Sequence, residues 1–537
     1  MKSELMADDF GERVRANQNR LAAKLKLRYD FVVCGSGSSG SVVARRLAEN
    51  PDVSVLLVEA GGDDDIPNVT DAGQWPTNIG SVRDWAFRGV PNPRLNGRSL
   101  TFSMGKVLGG GSAINVMLWA RGHQSDWDFF AAEADDPAWG YKSVLDIYRR
   151  VEDWHGSPDP TYRGSGGPIF VQPAPDPSPL AHATVCGAES VGIPAFESPN
   201  GQMMEGRGGA ALADIRSRNG SRQSVFRSYV YPYLDRPNLT VLTHAHVTRV
   251  TFDRNRATGV EIFHCGTTRV IGAECEVVLS LGAMHTPKVL MHSGIGDKAQ
   301  LRRFGIDVRQ HLAGVGQNFQ DHVAFYCGWE YQVPLPPRNN MSEATLYWTT
   351  MPGSEGPDVF VCQGEMHYAT EETATRYGLP TSGWSLAGGL AQPKSRGAVR
   401  LTGPDPDDPI QIDANTLADH DDLEVAIACI QLCREVGNSR PLRPFVRREV
   451  MPGNLTSREL DGFIRDAATS YWHACGTAKM GRDPMSVVDG ACRVHGVENL
   501  RVADASIMPR ITTGNTMAPC VVIGERAAEM LKSDHEL

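Results

Sequence analysis

The sequence predicts an α/β dinucleotide-binding fold of the Rossmann-like βαβ kind, joined to an α+β domain built on an antiparallel sheet. Three observations carry that expectation. A short apolar strand near the start of the chain runs into a glycine-rich turn and a helix. A second glycine-rich turn opens another helical run further on. A central stretch, 323–455, alternates aromatic and β-branched residues with polar ones between Pro and Gly clusters, as half-buried strands do.

The first unit is Tyr29 to Gly40. Phe31, Val32 and Val33 form the strand, and Gly35, Gly37 and Gly40 follow in the spacing G-x-G-x-x-G. Glycines let the backbone turn sharply and approach a pyrophosphate, whose charge the free N–H groups of the new helix bind. Val42, Val43 and Leu47 mark the helix, and Val53 to Val58 a second strand ending in Glu59. An acid there is placed to accept hydrogen bonds from a ribose. The fingerprint does not separate NAD from FAD.

At 537 residues, two domains are expected. The composition is that of a globular protein, 41% hydrophobic and 22% charged, and a net charge of −10 implies no basic surface for nucleic acid. No apolar run reaches the length of a membrane helix. The N-terminus lacks the apolar core of a signal peptide. The 11 cysteines are scattered, with no C-x-x-C. Reduced thiols and a cytoplasmic location are the expectation. Cys492 with His495, and His473 with Cys475, are at most half-sites for zinc, so no metal is expected.

Residues 1–28 carry Met6, Phe10, Val14, Leu21 and Leu25 at near-helical spacing. They read as an amphipathic helix that covers a surface, makes an oligomer contact or stays solvated. The loop-rich tract 63–103 holds Trp75 and Trp85, and is long enough to suggest that it wraps a cofactor. Gly109, Gly110 and Gly111 precede a helical run from Ala113 to Arg121. Two glycine-rich helix starts suit a large, extended cofactor such as FAD. Pro- and Gly-rich pieces from 153 to 222 signal a change of layer, and α/β character returns from 223 to 281. Helices are expected over 421–439, 460–467 and 520–531. The strand Leu500 to Asp504 ends in an acid, and small polar residues from Thr512 to Thr516 precede the last helix, which suits a ribityl or pyrophosphate contact.

Four segments together resemble the glucose–methanol–choline (GMC) flavin oxidoreductases over essentially the whole chain. They are Gly105 to Trp119, Gly282 to Gly296, the stretch WHACGTAKMG beginning at Trp472, and Arg501 to Pro519. Within the family the chain is similar to bacterial alcohol oxidases of aromatic, furanic (hydroxymethylfurfural-like) or pyridine methanols. The resemblance implies an FAD-binding domain, 29–155, 223–320 and 460–537, interleaved with a substrate domain, 156–222 and 321–459. It implies that Gly35, Gly37, Ser38, Gly40 and Glu59 hold the ADP half of FAD, with Val247 touching adenine through its backbone. Leu108, Gly110 and Asn115 would lie beside the flavin ring. Asp504, Asn515, Thr516 and Ala518 would make diphosphate and ring contacts. Some members attach the flavin through a His just before the signature Asn. That position is Ile114 here, so non-covalent FAD is expected. No haem-attachment C-x-x-C-H is present, so O₂ or a separate soluble or quinone acceptor would take the electrons.

The resemblance also implies a catalytic pair, His473 and Asn515. Alcohol oxidation removes a hydroxyl proton and a hydride from carbon. The proton needs an acceptor that titrates near neutrality, and histidine is the natural one. Asn515 cannot titrate, but its amide can hold an oxygen that becomes alkoxide-like. Trp472, Phe360 and Cys362 are candidate pocket residues, with Tyr347 and Trp348 behind them. Three functions stay open: an FAD-dependent alcohol oxidase or dehydrogenase, a hydroxynitrile lyase of the same family with redox-silent flavin, and a non-catalytic flavin-binding protein. Choline-like and sugar alcohols are alternative substrates of the first.

Overall fold

A computed structural model describes residues 2–537 of the chain, with side chains from residue 10 onward. Its two large sheets divide the work the sequence leads one to expect. In the first, Arg28–Cys34 lies between Val55–Val58 and Thr267–Leu279, parallel to both, and Leu239–Leu242 adds a parallel edge. Phe31 to Cys34 and Val55 to Leu57 are fully buried, which is why these strands read as unbroken apolar runs rather than alternating ones. The strand Thr267–Leu279 forks. Its first half pairs antiparallel with Arg256–His264, and Val277 to Leu279 pair in parallel with Leu500–Val502. Helix Ser38–Leu47 crosses the C-terminal helix Met517–Asp534 at close range. A Cβ at Gly524 would lie 2.7 Å from Val42 Cβ, so glycine is what permits the crossing.

The second sheet is wholly antiparallel. It runs Val446–Met451, Val323–Tyr331, Gly383–Leu390, Val359–Gly364, Ala344–Trp348 and Gly208–Leu212, with Thr469–Ser470 alongside Val323. Trp329 and Trp384 face each other in register and stack at 4.5 Å. Helix His420–Gly437 covers the sheet, and Gly437 leaves room for the Trp329 ring. Each sheet draws strands from separated parts of the chain, so the α/β and α+β domains are interleaved.

Helix Lys2–Ala23 covers a surface, one of the alternatives expected for the N-terminus. Phe10 meets Tyr231 edge-on and Val14 is buried. Gln18 takes the Val241 N–H and donates to the Leu239 and Leu234 carbonyls, which satisfies the exposed edge of the first sheet. The Met6 side chain lies outside the described residues.

Several expectations need correction. The boundary expected at 459/460 falls inside helix Ser457–Ala467, whose Phe463 and Ile464 pack into the second sheet's core. The return to the first layer comes only after Ser470. The boundary at 155/156 is bridged, because Glu152–Trp154 pairs with Ile169–Pro173, and Ile169 and Val171 pack into the first core. Ala398–Leu401 lies outside the large sheet, in a ribbon with Ile410–Asp413. The helical run 113–121 shrinks to Gly111–Ile114. Asn115 accepts a hydrogen bond from the Met117 N–H, Met117 takes φ +61°, and Trp119 N–H donates to Asp214. Pairing with 214–216 outweighs helical periodicity there. No described helix is long and apolar enough to cross a membrane.

Candidate active site

One cavity, with about 1940 Å³ of atom-free space open solvent included, joins the glycine-rich turns to His473 and Asn515. Each glycine of the first turn has its own reason. Gly35 has φ +96°, and a Cβ on it would sit 2.3 Å from the Ser280 carbonyl. A Cβ on Gly40 would sit 1.9 Å from the Gly35 carbonyl. A Cβ on Gly37 would meet nothing within 4 Å, because Gly37 faces the cavity. The second turn stands against the first: a Cβ on Gly110 would lie 2.8 Å from Gly37 Cα. Such a bare double cradle fits an extended dinucleotide that the backbone must approach closely.

The two acids on the cavity wall organise these turns. Glu59 accepts hydrogen bonds from Ser36 N–H (3.0 Å), Ser36 O–H (2.7 Å) and Gly61 N–H (2.8 Å). Burial raises its pKa while these donors pull it down. A carboxylate has roughly four lone-pair sites, so it keeps capacity for a ligand hydroxyl. Asp504 accepts from Gly282 N–H (2.8 Å), Thr286 O–H (2.6 Å) and Ser506 N–H (2.8 Å), which ties the last strand to the start of helix Gly282–His292. Among the described residues no lysine or arginine lines the wall, so backbone N–H groups would be the donors for an anionic bridge. These residues fit FAD.

Ser38, Val247, Asn115, Asn515 and Thr516 also line the cavity, as does Ile114. Leu108, Gly40 and Ala518 do not. Leu108 and Ala518 are packed into the first core, and Gly40 is closed off by Gly35. Sequence reasoning missed Arg216 and Arg222, both buried with no carboxylate partner among the described residues and both donating to Asn115 Oδ1, at 3.3 and 3.0 Å. It also missed His285, which lies 4.2 Å from the Trp85 ring on the cavity wall.

At the other part of the cavity His473 is held from three sides. Its N–H donates to Asp321 (2.7 Å), whose second oxygen accepts from Ser470 O–H. Its Nδ1 lies 2.8 Å from His322 Nδ1, and its Nε2 lies 3.2 Å from Asn515 Nδ2. Trp472 carries the tight turn with φ +63°, uncommon for a bulky residue and a mark of a constrained site. Burial and the neighbouring His322 hold the His473 pKa well below the usual 6.5, and burial pushes His322 down to about 4. Both rings are uncharged at neutral pH. Burial raises Asp321 to about 7 against its hydrogen bonds to Ser470 and to the His473 and His322 backbone. Neither His322 nor Asp321 was expected from the sequence, where nothing marks them as neighbours of His473.

Trp472 and Cys362 line the cavity, and so do Trp75, Tyr326, Tyr368 and Tyr471. Phe360 shares a strand face with Cys362 but does not reach the cavity. Its ring is covered by Tyr471 at 4.9 Å and His322 at 5.1 Å. Tyr347 lies behind Asn515, its hydroxyl 3.5 Å from Oδ1, and Trp348 is turned to Arg207. Glu365 is buried off the cavity wall, next to the Arg338 N–H.

Residues 29–324 and 393–524 match the N-terminal and C-terminal parts of the GMC oxidoreductase family. An oxygen-dependent choline dehydrogenase of Sinorhizobium medicae (strain WSM419) is 36% identical over 94% of this chain and 95% of its own. The crystal structure of pyridoxine 4-oxidase from Mesorbium loti superposes with a TM-score of 0.89 at 31% identity, covering 95% of this chain and 99% of that one. A fungal aryl-alcohol oxidase shares the fold, with a TM-score of 0.82 at 22% identity over 96% of this chain and 100% of that one. With both parts of the family present in order and full-length relatives on either side, the chain belongs to the GMC oxidoreductases, FAD-dependent enzymes of the CH–OH group.

Proposed function

We propose that this protein oxidises a flat, uncharged primary alcohol, an aryl, furanic or pyridine methanol, to its aldehyde. FAD is bound without a covalent link, and O₂ reoxidises it to give H₂O₂. The observation that carries this reading is His473 Nε2 beside the Asn515 amide, in a cavity walled by Trp75, Trp472, Tyr326, Tyr368 and Tyr471. Among the described residues the only carboxylates on the wall are Glu59 and Asp504, on the cofactor side. Aromatic walls without a counter-charge favour a neutral ring over a cation or a sugar.

Bound FAD supplies the hydride acceptor. His473 Nε2 takes the hydroxyl proton, and the Asn515 amide donates to the oxygen as it gains alkoxide character. Burial serves both steps, since an imidazole that stays uncharged at neutral pH is free to accept. We assign the cofactor side to Gly35, Gly37, Ser38, Glu59, Val247, Asp504 and Thr516, and the location to the cytoplasm. The name pyridoxine 4-oxidase on a structural relative agrees with a hydroxymethyl group on a flat ring.

A quaternary ammonium alcohol is the second reading. The relatives named choline dehydrogenase favour it, and so do the aromatic faces, which attract cations. Anaerobic flavin bleaching across benzyl alcohol, hydroxymethylfurfural, pyridoxine, choline, glucose and methanol, followed by air, decides between them. Bleaching by a ring methanol with rapid return of colour and peroxide is expected. Bleaching by choline alone favours the second reading. Slow return of colour replaces O₂ with a quinone or cytochrome acceptor, and no bleaching by any alcohol turns the assignment to the lyase.

A further inference from the structure

His322 precedes strand Val323–Tyr331 and is 1% exposed. Its Nε2 lies 3.0 Å from the carbonyl oxygens of both Ala391 and Thr512. Carbonyl oxygens only accept, so this nitrogen carries a hydrogen. An uncharged imidazole has one N–H, which leaves His322 Nδ1 as a lone pair. That lone pair faces His473 Nδ1 at 2.8 Å, a distance that requires a hydrogen between the two nitrogens. His473 must supply it, and so its own Nε2 is bare. The opposite end of the chain of hydrogen bonds agrees. The Tyr347 hydroxyl donates to Asn515 Oδ1, which turns Asn515 Nδ2 toward His473 Nε2, and an N–H there needs a lone pair to meet.

We propose that His322 is a positioning residue that fixes the tautomer of His473, keeping Nδ1 protonated and Nε2 bare toward the cavity. The two backbone carbonyls set His322, and His322 sets His473. This rests on the reading of His473 as the base and adds how it is kept ready. When the substrate O–H breaks, the proton goes to Nε2, and the positive charge that results on His473 is shared through Nδ1–H with His322, which itself gains no proton. The adjacent Asp321 holds the backbone of the same residue. One dipeptide therefore fixes both where the base stands and which nitrogen it offers.

The test uses the FAD-loaded full chain labelled with ¹⁵N-histidine, with His473 assigned by its loss in His473→Ala. Long-range ¹H–¹⁵N spectra at neutral pH should show His473 with a protonated Nδ1 and a bare Nε2. His322→Phe keeps a ring but no acceptor. It should mix the His473 tautomers and slow flavin reduction by a substrate roughly tenfold or more, with little change in substrate affinity. His322→Asn offers an amide oxygen to Nδ1–H and should restore the single tautomer and most of the rate. A bare Nδ1 in the wild-type protein overturns the proposal, and so does a single tautomer with full rate in His322→Phe. If that variant does not fold or hold FAD, the wild-type spectrum still decides. Near-normal turnover by His473→Ala removes the base reading and the role with it, while the spectrum reports the tautomer separately.

Discussion

Alanine at Gly35 and alanine at Gly37 separate two jobs that one turn performs. At Gly35 the backbone has φ +96°, where an L side chain costs roughly 1–2 kcal/mol. The new Cβ would sit 2.3 Å from the Ser280 carbonyl, on the rigid end of a central strand, and easing such a contact costs about 1–3 kcal/mol more. Gly35→Ala should therefore destabilise even the flavin-free protein, by roughly 2–5 kcal/mol. At Gly37 the backbone is extended (φ −64°, ψ −168°) and no atom lies within 4 Å of the new Cβ, so the fold should tolerate alanine within about 0.5 kcal/mol. The methyl group instead enters the cavity where the backbone must meet the cofactor. A clash of about 3 kcal/mol there weakens FAD binding roughly 100-fold. The assay is a urea midpoint on flavin-free protein, read by tryptophan fluorescence, beside a titration that follows quenching of free FAD. Wild-type FAD affinity in Gly37→Ala would refute the cradle. Equal loss of stability in both variants would refute the assignment of Gly37 to the cavity face.

Other expectations follow from the same geometry. His473→Ala should retain FAD but reduce it about 10²–10⁴-fold more slowly in stopped-flow experiments, the usual worth of a positioned base; a near-normal rate places the base elsewhere. Asn515→Ala should also lose rate with flavin content intact, and loss of FAD would make Asn515 a cofactor residue first. With Ile114 where a linking His would stand, acid precipitation should release all the flavin into the supernatant, and a yellow pellet contradicts this. His473 titrates below 6.5 and Asp321, which holds its backbone N–H, at about 7, so the rate of flavin reduction should rise with pH through the first ionisation and reach its plateau only above the second. His322 also affects stability. Its folded pKa of about 4 lies below the unfolded 6.5, so the unfolded chain binds more protons in that window and stability falls as pH drops through it, by on the order of 3 kcal/mol. The difference in urea midpoint between wild type and His322→Asn should shrink from pH 7 to pH 4.

The first layer of the molecule is legible because its signals are local. Gly35, Gly37, Gly40 and Glu59 stand at spacings that one βαβ unit sets, and Phe31 to Val33 announce a strand buried on both faces. The α+β layer is legible more coarsely, since alternation marks strands without saying which of them pair. Phe360 shows the limit. Period 2 places it with Cys362 but says nothing of Tyr471 and His322, which cover it. His322 itself is one of 15 histidines with no spacing to mark it, and it meets His473 because Val323 pairs with Ser470 and Gln320 with Cys475. The run 113–121 misleads for the opposite reason, because its apolar residues have helical spacing while Asn115 and the partner strand at 214–216 impose an extended path. The boundary near 460 fails because a helix sequence shows its apolar face and not the core that will take it.

The forked strand Thr267–Leu279 has a consequence for how the protein is made. Arg28–Cys34 leaves the ribosome early, but its neighbour on one side is well over two hundred residues away, and the last strand of the fork is Leu500–Val502. At synthesis rates of about 5–20 residues per second, the first wait lasts roughly 10–50 s and the second is of similar length. Val55–Val58 follows quickly and closes one side, but the other edge of Phe31 to Val33 stays open through that time. FAD capture must then be a late event, after the fork has closed. Nascent chains stalled before residue 500 should carry no flavin however long they are incubated with it, and chaperones that shield exposed strands should raise the yield of yellow protein more than added FAD does.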